Sequence, residues 1–237
     1  GQEALDMTLQ AFRIAEDAQV RLPVMVCLDG FILTHTVEAV DVPERAQVDR
    51  FIPPFDPVGA LQPSDPMTMS PIVPPEFAME MRYQQDRAMQ ASRTVIARAD
   101  EEFAALFGRR YGGLFESYRM EDAEFAMVGL GTWAGEAKEV VDQLRAEGRK
   151  AGLIRLRFVR PFPAEELRAS LKDMKAVGTF ERSASFNGFG PLYTELRSAL
   201  YDTGVTTVRE MYEVVERRAR GESVRECTWH GLRGEQE

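Results

Sequence analysis

Nine of the chain's 13 prolines fall between Val42 and Pro75. Each proline fixes its own φ, biases the preceding residue toward extended backbone and lacks the N–H that a ladder or helix interior requires. No sheet strand or long helix therefore runs through "PPFDPVGALQPSDPMTMSPIVPP", and the chain folds as one block before this stretch and another after it. Phe51, Ile52, Phe55, Met67, Met69, Ile72 and Val73 lie among the prolines. Such apolar anchors point to an ordered crossover laid over a surface rather than a flexible tether.

Ahead of the prolines, Leu5, Leu9 and Phe12, with Ile14 and Ala15, fall at helical spacing, so Gln2 to Asp17 reads as an amphipathic helix. Pro23 then opens the run Pro-Val-Met-Val-Cys-Leu, apolar at consecutive positions and closed by Asp29-Gly30. That is the pattern of a parallel strand covered on both faces. One helix and one strand do not make a domain. The first residue is Gly1 rather than Met, and the helical pattern starts at once. The expectation is the tail of a doubly wound sheet, truncated so that its earlier strands are missing.

Beyond the prolines the period changes. Phe77, Met81, Ala88, Val95, Ile96, Phe103, Leu106 and Phe107 keep a spacing near 3.6 between Pro75 and Gly108, a proline and a glycine placed as helix start and stop. Strand and helix patterns then alternate: strands at Phe125 to Leu130, Gly152 to Val159 and Ala176 to Glu181, and helices at Gly135 to Glu147, Pro163 to Lys172 and Gly190 to Tyr201. This order specifies an α/β unit with a parallel sheet. A last amphipathic helix, Val205 to Arg220, precedes a polar tail holding Trp229.

Lys plus Arg total 29 against 38 Asp plus Glu, a formal charge of -9. Wrapping nucleic acid or sitting on an acidic membrane requires the opposite balance. No apolar run approaches the roughly 20 residues that cross a bilayer, so the chain reads as soluble and cytoplasmic. Cys27 and Cys227 read as reduced, buried thiols, too few for a four-thiolate zinc or iron–sulfur site.

Three segments carry candidate chemistry. "GLGTWAGEAKE" places Gly129, Gly131 and Gly135 at a strand-to-helix turn, where small residues serve either a phosphate or the turn itself, and the acid that would hold a ribose is not well placed. Asp29, Gly30 and His35 follow the strand ending at Leu28, where open α/β sheets bind ligands. "ERSASFNGFG" leads into a helix start and serves as a cap or an anion site. There is no H-E-x-x-H and no G-x-S-x-G, and Arg155, Arg157 and Arg160 read equally as a solvated edge or as partners of acids elsewhere.

Taken in order, "QEALDMTLQAFRIAED", "RLPVMVCLDGFILTHTVE", the proline bridge, "PPEFAMEMRYQQDRAM", "VGLGTWAGEAKEVVDQLRAEGRKAGLIRLRFVRPFPAEEL" and "FERSASFNGFGPLYTELRSAL" resemble the α subunit of pyruvate:ferredoxin oxidoreductase and its 2-oxoacid relatives. The resemblance runs over nearly the whole chain. It implies an α/β fold: the end of a thiamine-pyrimidine-type domain at 1–42, a linker at 43–75, a helical connector at 76–120, and at 121–237 a parallel-sheet domain similar to the carboxy-terminal domain of transketolase. The activity it implies is oxidative decarboxylation of a 2-oxoacid to an acyl-coenzyme A, with electrons passed to ferredoxin. It implies thiamine diphosphate, Mg2+ and iron–sulfur clusters in the assembled enzyme, held by a thiamine-binding β subunit and ferredoxin-type partners, with none bound by this chain alone.

No catalytic or metal-binding residue carries over. Asp29, Gly30, His35, Gly129 and Gly131 remain the cofactor-contact candidates. Two departures stand out: Thr34-His35-Thr36 occurs where the family often has Ser-His-Glu, and "DTGVTTVREM" follows Tyr201 directly, so a closing strand is expected to be missing. The alternative reading is a stand-alone α/β module that binds a nucleotide or another anion. Transketolase and 2-oxoacid dehydrogenases share the second domain's architecture, and the proline bridge and DGF turn separate the chain from them.

Overall fold

The computed structural model describes residues 1–57, 59, 62–186, 188–208, 217 and 220–222. The chain divides into two compact units, Gly1–Leu114 and Phe115–Glu237.

The first unit is helical. Helix α1 (Gln2–Ala15) and helix α3 (Arg45–Phe51) pack on the long helix α4 (Ala78–Phe107), which a short 3-10 turn, Pro75–Phe77, leads into. Ile14, Val20, Phe51, Val95, Ile96, Ala99 and Phe103 form the core. Phe51 meets Phe103 and Phe107 edge-on, at 5.2 and 5.8 Å between ring centres. Gly108 ends α4 in the left-handed conformation, φ 73°, where glycine carries no Cβ penalty.

Four expectations for this unit need correction. The buried stripe of α1 is Asp6, Gln10 and Ile14, whereas Phe12 is 54% exposed; this face is polar because Asp6 brings its own hydrogen-bond partners. Pro23 to Leu28 is not a strand, and Met25 is 85% exposed. A doubly covered strand needs neighbours, and no described residue of this unit supplies one. Cys27 in that run is exposed rather than buried. Among the proposed anchors of the proline stretch only Phe51 is buried, with Ile52 half-buried, while Phe55, Met67, Met69, Ile72 and Val73 face solvent.

The second unit is a mixed α/β layer built on a mostly parallel five-stranded sheet of order β1-β3-β2-β4-β5. Its strands are β1 (Phe115–Tyr118), β2 (Phe125–Gly129), β3 (Ala151–Leu156), β4 (Ala176–Thr179) and β5 (Thr206–Val208). β2 pairs in parallel with β3 and β4, and β4 with β5, whereas β1 runs antiparallel along β3. Period-two alternation divides the core. Phe125, Met127 and Leu153 face α5 (Trp133–Ala146) through Ala137, Val141 and Leu144. Ala126, Val128 and Ile154 face α6 (Ala164–Leu171) and α7 (Pro191–Ala199) through Leu167, Leu171, Leu192 and Leu196.

The alternating α/β order expected here is present, with strands that end sooner than the apolar pattern does. Two differences matter. β1 was not legible, because "FESY" is short, amphipathic and confined to an edge. Thr206–Val208 pairs with β4 as a strand rather than opening a helix, so a closing strand is present after all. The β-branched Thr206 and Thr207 suit that pairing. The remainder of the expected last helix lies mostly outside the described residues, as do Cys227, Trp229 and His230.

Candidate functional site

The DGF turn in the first unit is built on one unfavourable residue. Phe31 adopts φ 67° and ψ -75° to launch the four-residue helix α2 (Ile32–His35). A bulky residue rarely occupies this half of conformational space, and such strain gathers at functional sites. The turn is closed by His35 N–H donating to the Phe31 carbonyl at 2.9 Å and by the Thr36 hydroxyl donating to the Ile32 carbonyl at 2.6 Å. The Phe31 and His35 rings lie 5.0 Å apart, and Thr34 Oγ1 is 3.1 Å from His35 Nδ1. Phe31 and Ile32 are 75% and 64% exposed. Gly30 has a negative φ and open space where a Cβ would stand, so the turn's constraint falls on Phe31 and not on the glycine.

A buried polar cluster fixes where this turn emerges. Asp6 is fully buried and receives two hydrogen bonds from Arg109, at 2.6 and 3.0 Å, one from Tyr111 Oη at 2.6 Å and one from Gln2 at 3.1 Å. Burial pushes the Asp6 carboxyl up, but these donors and the guanidinium charge outweigh it and hold it below the ordinary range. Tyr111 is pushed well above its usual value by burial and by its bond to Asp6. Arg109 also grips the Asp41 carboxylate at 2.7 Å, and the Gln2 amide pairs with the Asp41 backbone in both directions. Asp100 receives the N–H groups of Tyr111 and Gly112 at 3.2 and 3.0 Å. The exit from the turn and the exit from α4 are thus both tied to α1.

In the second unit, the candidate glycines follow β2. A Cβ on Gly129 would fall inside the ring of Trp133, and Trp133 meets Phe180 edge-on at 5.0 Å. The space that a dinucleotide-binding glycine leaves for a pyrophosphate is filled here by indole. Gly131 has φ 78°, the left-handed turn that leads into α5. Across the sheet, Glu181 accepts the Tyr193 N–H at 3.0 Å, and its carboxylate occupies the position a Cβ on Gly190 would take. An acidic side chain therefore caps the start of α7, where the serine- and glycine-rich loop offered either a cap or an anion site.

Sequence reasoning missed Phe31, Asp6 and Arg109. A φ value leaves no mark in a sequence, and the Asp6 to Arg109 pair spans 103 positions. It also missed Glu116 on β1, which accepts from Lys138 at 2.6 Å and Arg155 at 2.8 Å. Burial raises that carboxyl too, and the two cations together bring it below its usual range. No group of three or more His, Cys, Asp or Glu side chains among the described residues is arranged to hold a metal ion.

Comparison with known proteins bears on both units. The family model described as "Pyruvate flavodoxin/ferredoxin oxidoreductase, thiamine diP-bdg" matches residues 1–101, and "Pyruvate:ferredoxin oxidoreductase core domain II" matches residues 123–224. The chain is 43% identical to pyruvate synthase subunit PorA of Methanothermobacter thermautotrophicus, over 100% of this chain and 64% of that one. It is 41% identical to PorA of Thermotoga maritima, over 89% of this chain and 54% of the relative. Ketoisovalerate oxidoreductase subunit VorA of Pyrococcus horikoshii is 37% identical, over 90% and 54%. Among solved structures, a 2-oxoglutarate:ferredoxin oxidoreductase from Magnetococcus marinus aligns with a TM-score of 0.40 and 15% identity, over 64% of this chain and 24% of that one. The chain thus spans about half to two thirds of the length of these curated relatives. With two models of one family matched in succession and more than two fifths identity along its whole length, the chain belongs to the pyruvate:ferredoxin oxidoreductase family and is α-subunit sequence.

Proposed function

We propose that this chain serves a 2-oxoacid:ferredoxin oxidoreductase that converts a 2-oxoacid and coenzyme A to an acyl-coenzyme A and carbon dioxide, with pyruvate the first candidate substrate. The observation that carries this reading is the 43% identity to PorA in a match that extends over 100% of this chain. In this reading the chain supplies structural and assembly surfaces, with 1–42 as the end of the pyrimidine-type domain, 43–75 as a linker, 76–120 as a helical connector and 121–237 as the second domain. Asp29, Gly30 and His35 are the residues we assign toward the cofactor, because the strained, exposed turn at Phe31 presents them together.

Thiamine diphosphate, when bound, supplies the electron sink for decarboxylation. The donor sets here do not fit Mg2+ or an iron–sulfur cluster: no acidic or His/Cys cluster is present among the described residues, and the chain has two cysteines. In this reading those groups reside on a thiamine-binding β subunit and ferredoxin-type partners. Gly129 and Gly131 are better accounted for by Trp133 packing and the turn than by a nucleotide. No helix among the described residues is long and apolar enough to cross a membrane, in keeping with a cytoplasmic assignment.

The test is to purify the assembly through this chain and measure coenzyme A-dependent viologen reduction with pyruvate and with a branched-chain 2-oxoacid. Reduction with pyruvate is expected. Silence with every 2-oxoacid, beside a related enzyme that is active, overturns the proposal.

A further inference from the structure

Helix α4 carries more helix than the first unit covers. Its C-terminal part is buried through Ser92, Val95, Ile96, Ala99 and Phe103, whereas residues 78–87 are all exposed. At 1.5 Å per residue that is roughly 15 Å of bare helix. The buried stripe does not stop where its cover stops. Phe77, Met81, Gln84 and Ala88 continue it at steps of four, three and four residues, through Ala91 into Val95. Phe77 is 57% exposed and Met81 40%.

The flank of this stripe is charged in a particular way. Glu80 and Arg87 stand seven residues apart on the same side, both are exposed, and neither has an ion-pair partner among the described residues. Two such helices laid antiparallel place Glu80 of each copy beside Arg87 of the other. The same alignment sets Phe77 against Ala88 and Met81 against Gln84, so the largest apolar side chain meets the smallest. Antiparallel pairing is what a two-fold axis across a helix produces, since each surface must complement itself.

We infer that the bare start of α4, residues 78–87, with Phe77 of the preceding 3-10 turn and the half-buried Ala88 at its two ends, is a self-association surface whose occupant is the same segment of a second copy of this chain, paired antiparallel about a two-fold axis near Tyr83. The surface is about three turns long, which places it in the weak class of interfaces. This inference is independent of the proposed activity.

Sedimentation equilibrium of the full chain tests it. Between about 5 µM and about 500 µM, the weight-average mass of the unmodified chain is expected to rise toward twice the monomer value, as a small interface at the weak end of the affinity range does. Glu80→Arg sets like charges together twice and is expected to lower the association constant by at least about tenfold, as is Arg87→Glu. Combining the two swaps both pairs and restores association. Far-UV circular dichroism identical to the unmodified chain establishes that each variant is folded. A chain that stays monomeric throughout the range, a single reversal without effect, or a folded double variant that remains monomeric overturns the inference. Association that needs a different protein overturns it too.

Discussion

Asp6 is a fully buried carboxylate that accepts four hydrogen bonds. Removing its charge leaves Arg109 with the exposed Asp41 carboxylate in place of a buried counter-charge, and losing one partner of a buried pair costs about 3 kcal/mol. Asp6→Asn is therefore expected to lower the unfolding free energy of the chain by about that much in urea. Because the folded pKa lies below the ordinary 3.8, the stabilisation is complete above that value and is lost as pH falls through the folded pKa. Glu116, depressed from 4.5, acts in the same direction in the second unit. Unfolding midpoints recorded from pH 7 to pH 3 should hold nearly level above about pH 5 and then drop, with a smaller drop in Asp6→Asn. Phe31 makes the opposite case. Glycine adopts its positive φ freely, so Phe31→Gly should stabilise the chain by about 1 kcal/mol, read by thermal unfolding, while reducing the turnover of an assembled enzyme. Stabilisation with unchanged turnover removes the turn from the functional site.

At the scale of elements, the junction of β2 and α5 depends on one absent methyl group. Gly129→Ala forces the Trp133 ring away from the strand and from Phe180, an overpacking worth about 1–3 kcal/mol. Trp133→Leu vacates the same space. The double variant should be less destabilised than the sum of the singles, measured by urea unfolding, because the two positions share one cavity. Additive losses mean that the ring is not what Gly129 accommodates. This junction also shows what a sequence conveys. Gly129, Gly131 and Gly135 announce a sharp strand-to-helix turn in any reading, but whether the turn accommodates a phosphate or an indole depends on a rotamer, and spacing alone does not record rotamers. The doubly covered strands β2, β3 and β4 were legible because apolar runs bounded by glycine and charge have few other uses. β1 and β5, half-covered edges of four and three residues, carry too short a pattern to separate from their surroundings. Pro23 to Leu28 is the reverse case. Its pattern is that of a strand, but pairing is a property of neighbours, and the described residues of its unit hold none.

For the whole molecule, the proline stretch was the most dependable signal, since it forbids structure by stereochemistry instead of favouring it by propensity. It marked the chain as bipartite, but α3 forms inside it and α4 belongs with what precedes it, so the second compact unit begins at Phe115, not at the end of the prolines. Each unit has its own core, and cores of different size and composition do not melt together unless an interface couples them. Calorimetry of the full chain is expected to show two transitions, with the one assigned to 115–237 reproduced by that unit expressed alone. A single sharp transition means that the units unfold as one.

The bare apolar residues of the first unit, Met25, Leu28, Phe31, Ile32, Val37 and Val42 among them, carry a consequence for the cell. A surface of this kind, left unattended after synthesis, draws chaperones and proteases before it draws anything else. The steady-state amount of this polypeptide should then follow the supply of whatever shields it, and surplus copies should be short-lived. Balanced production becomes a requirement of the architecture as much as of the genome.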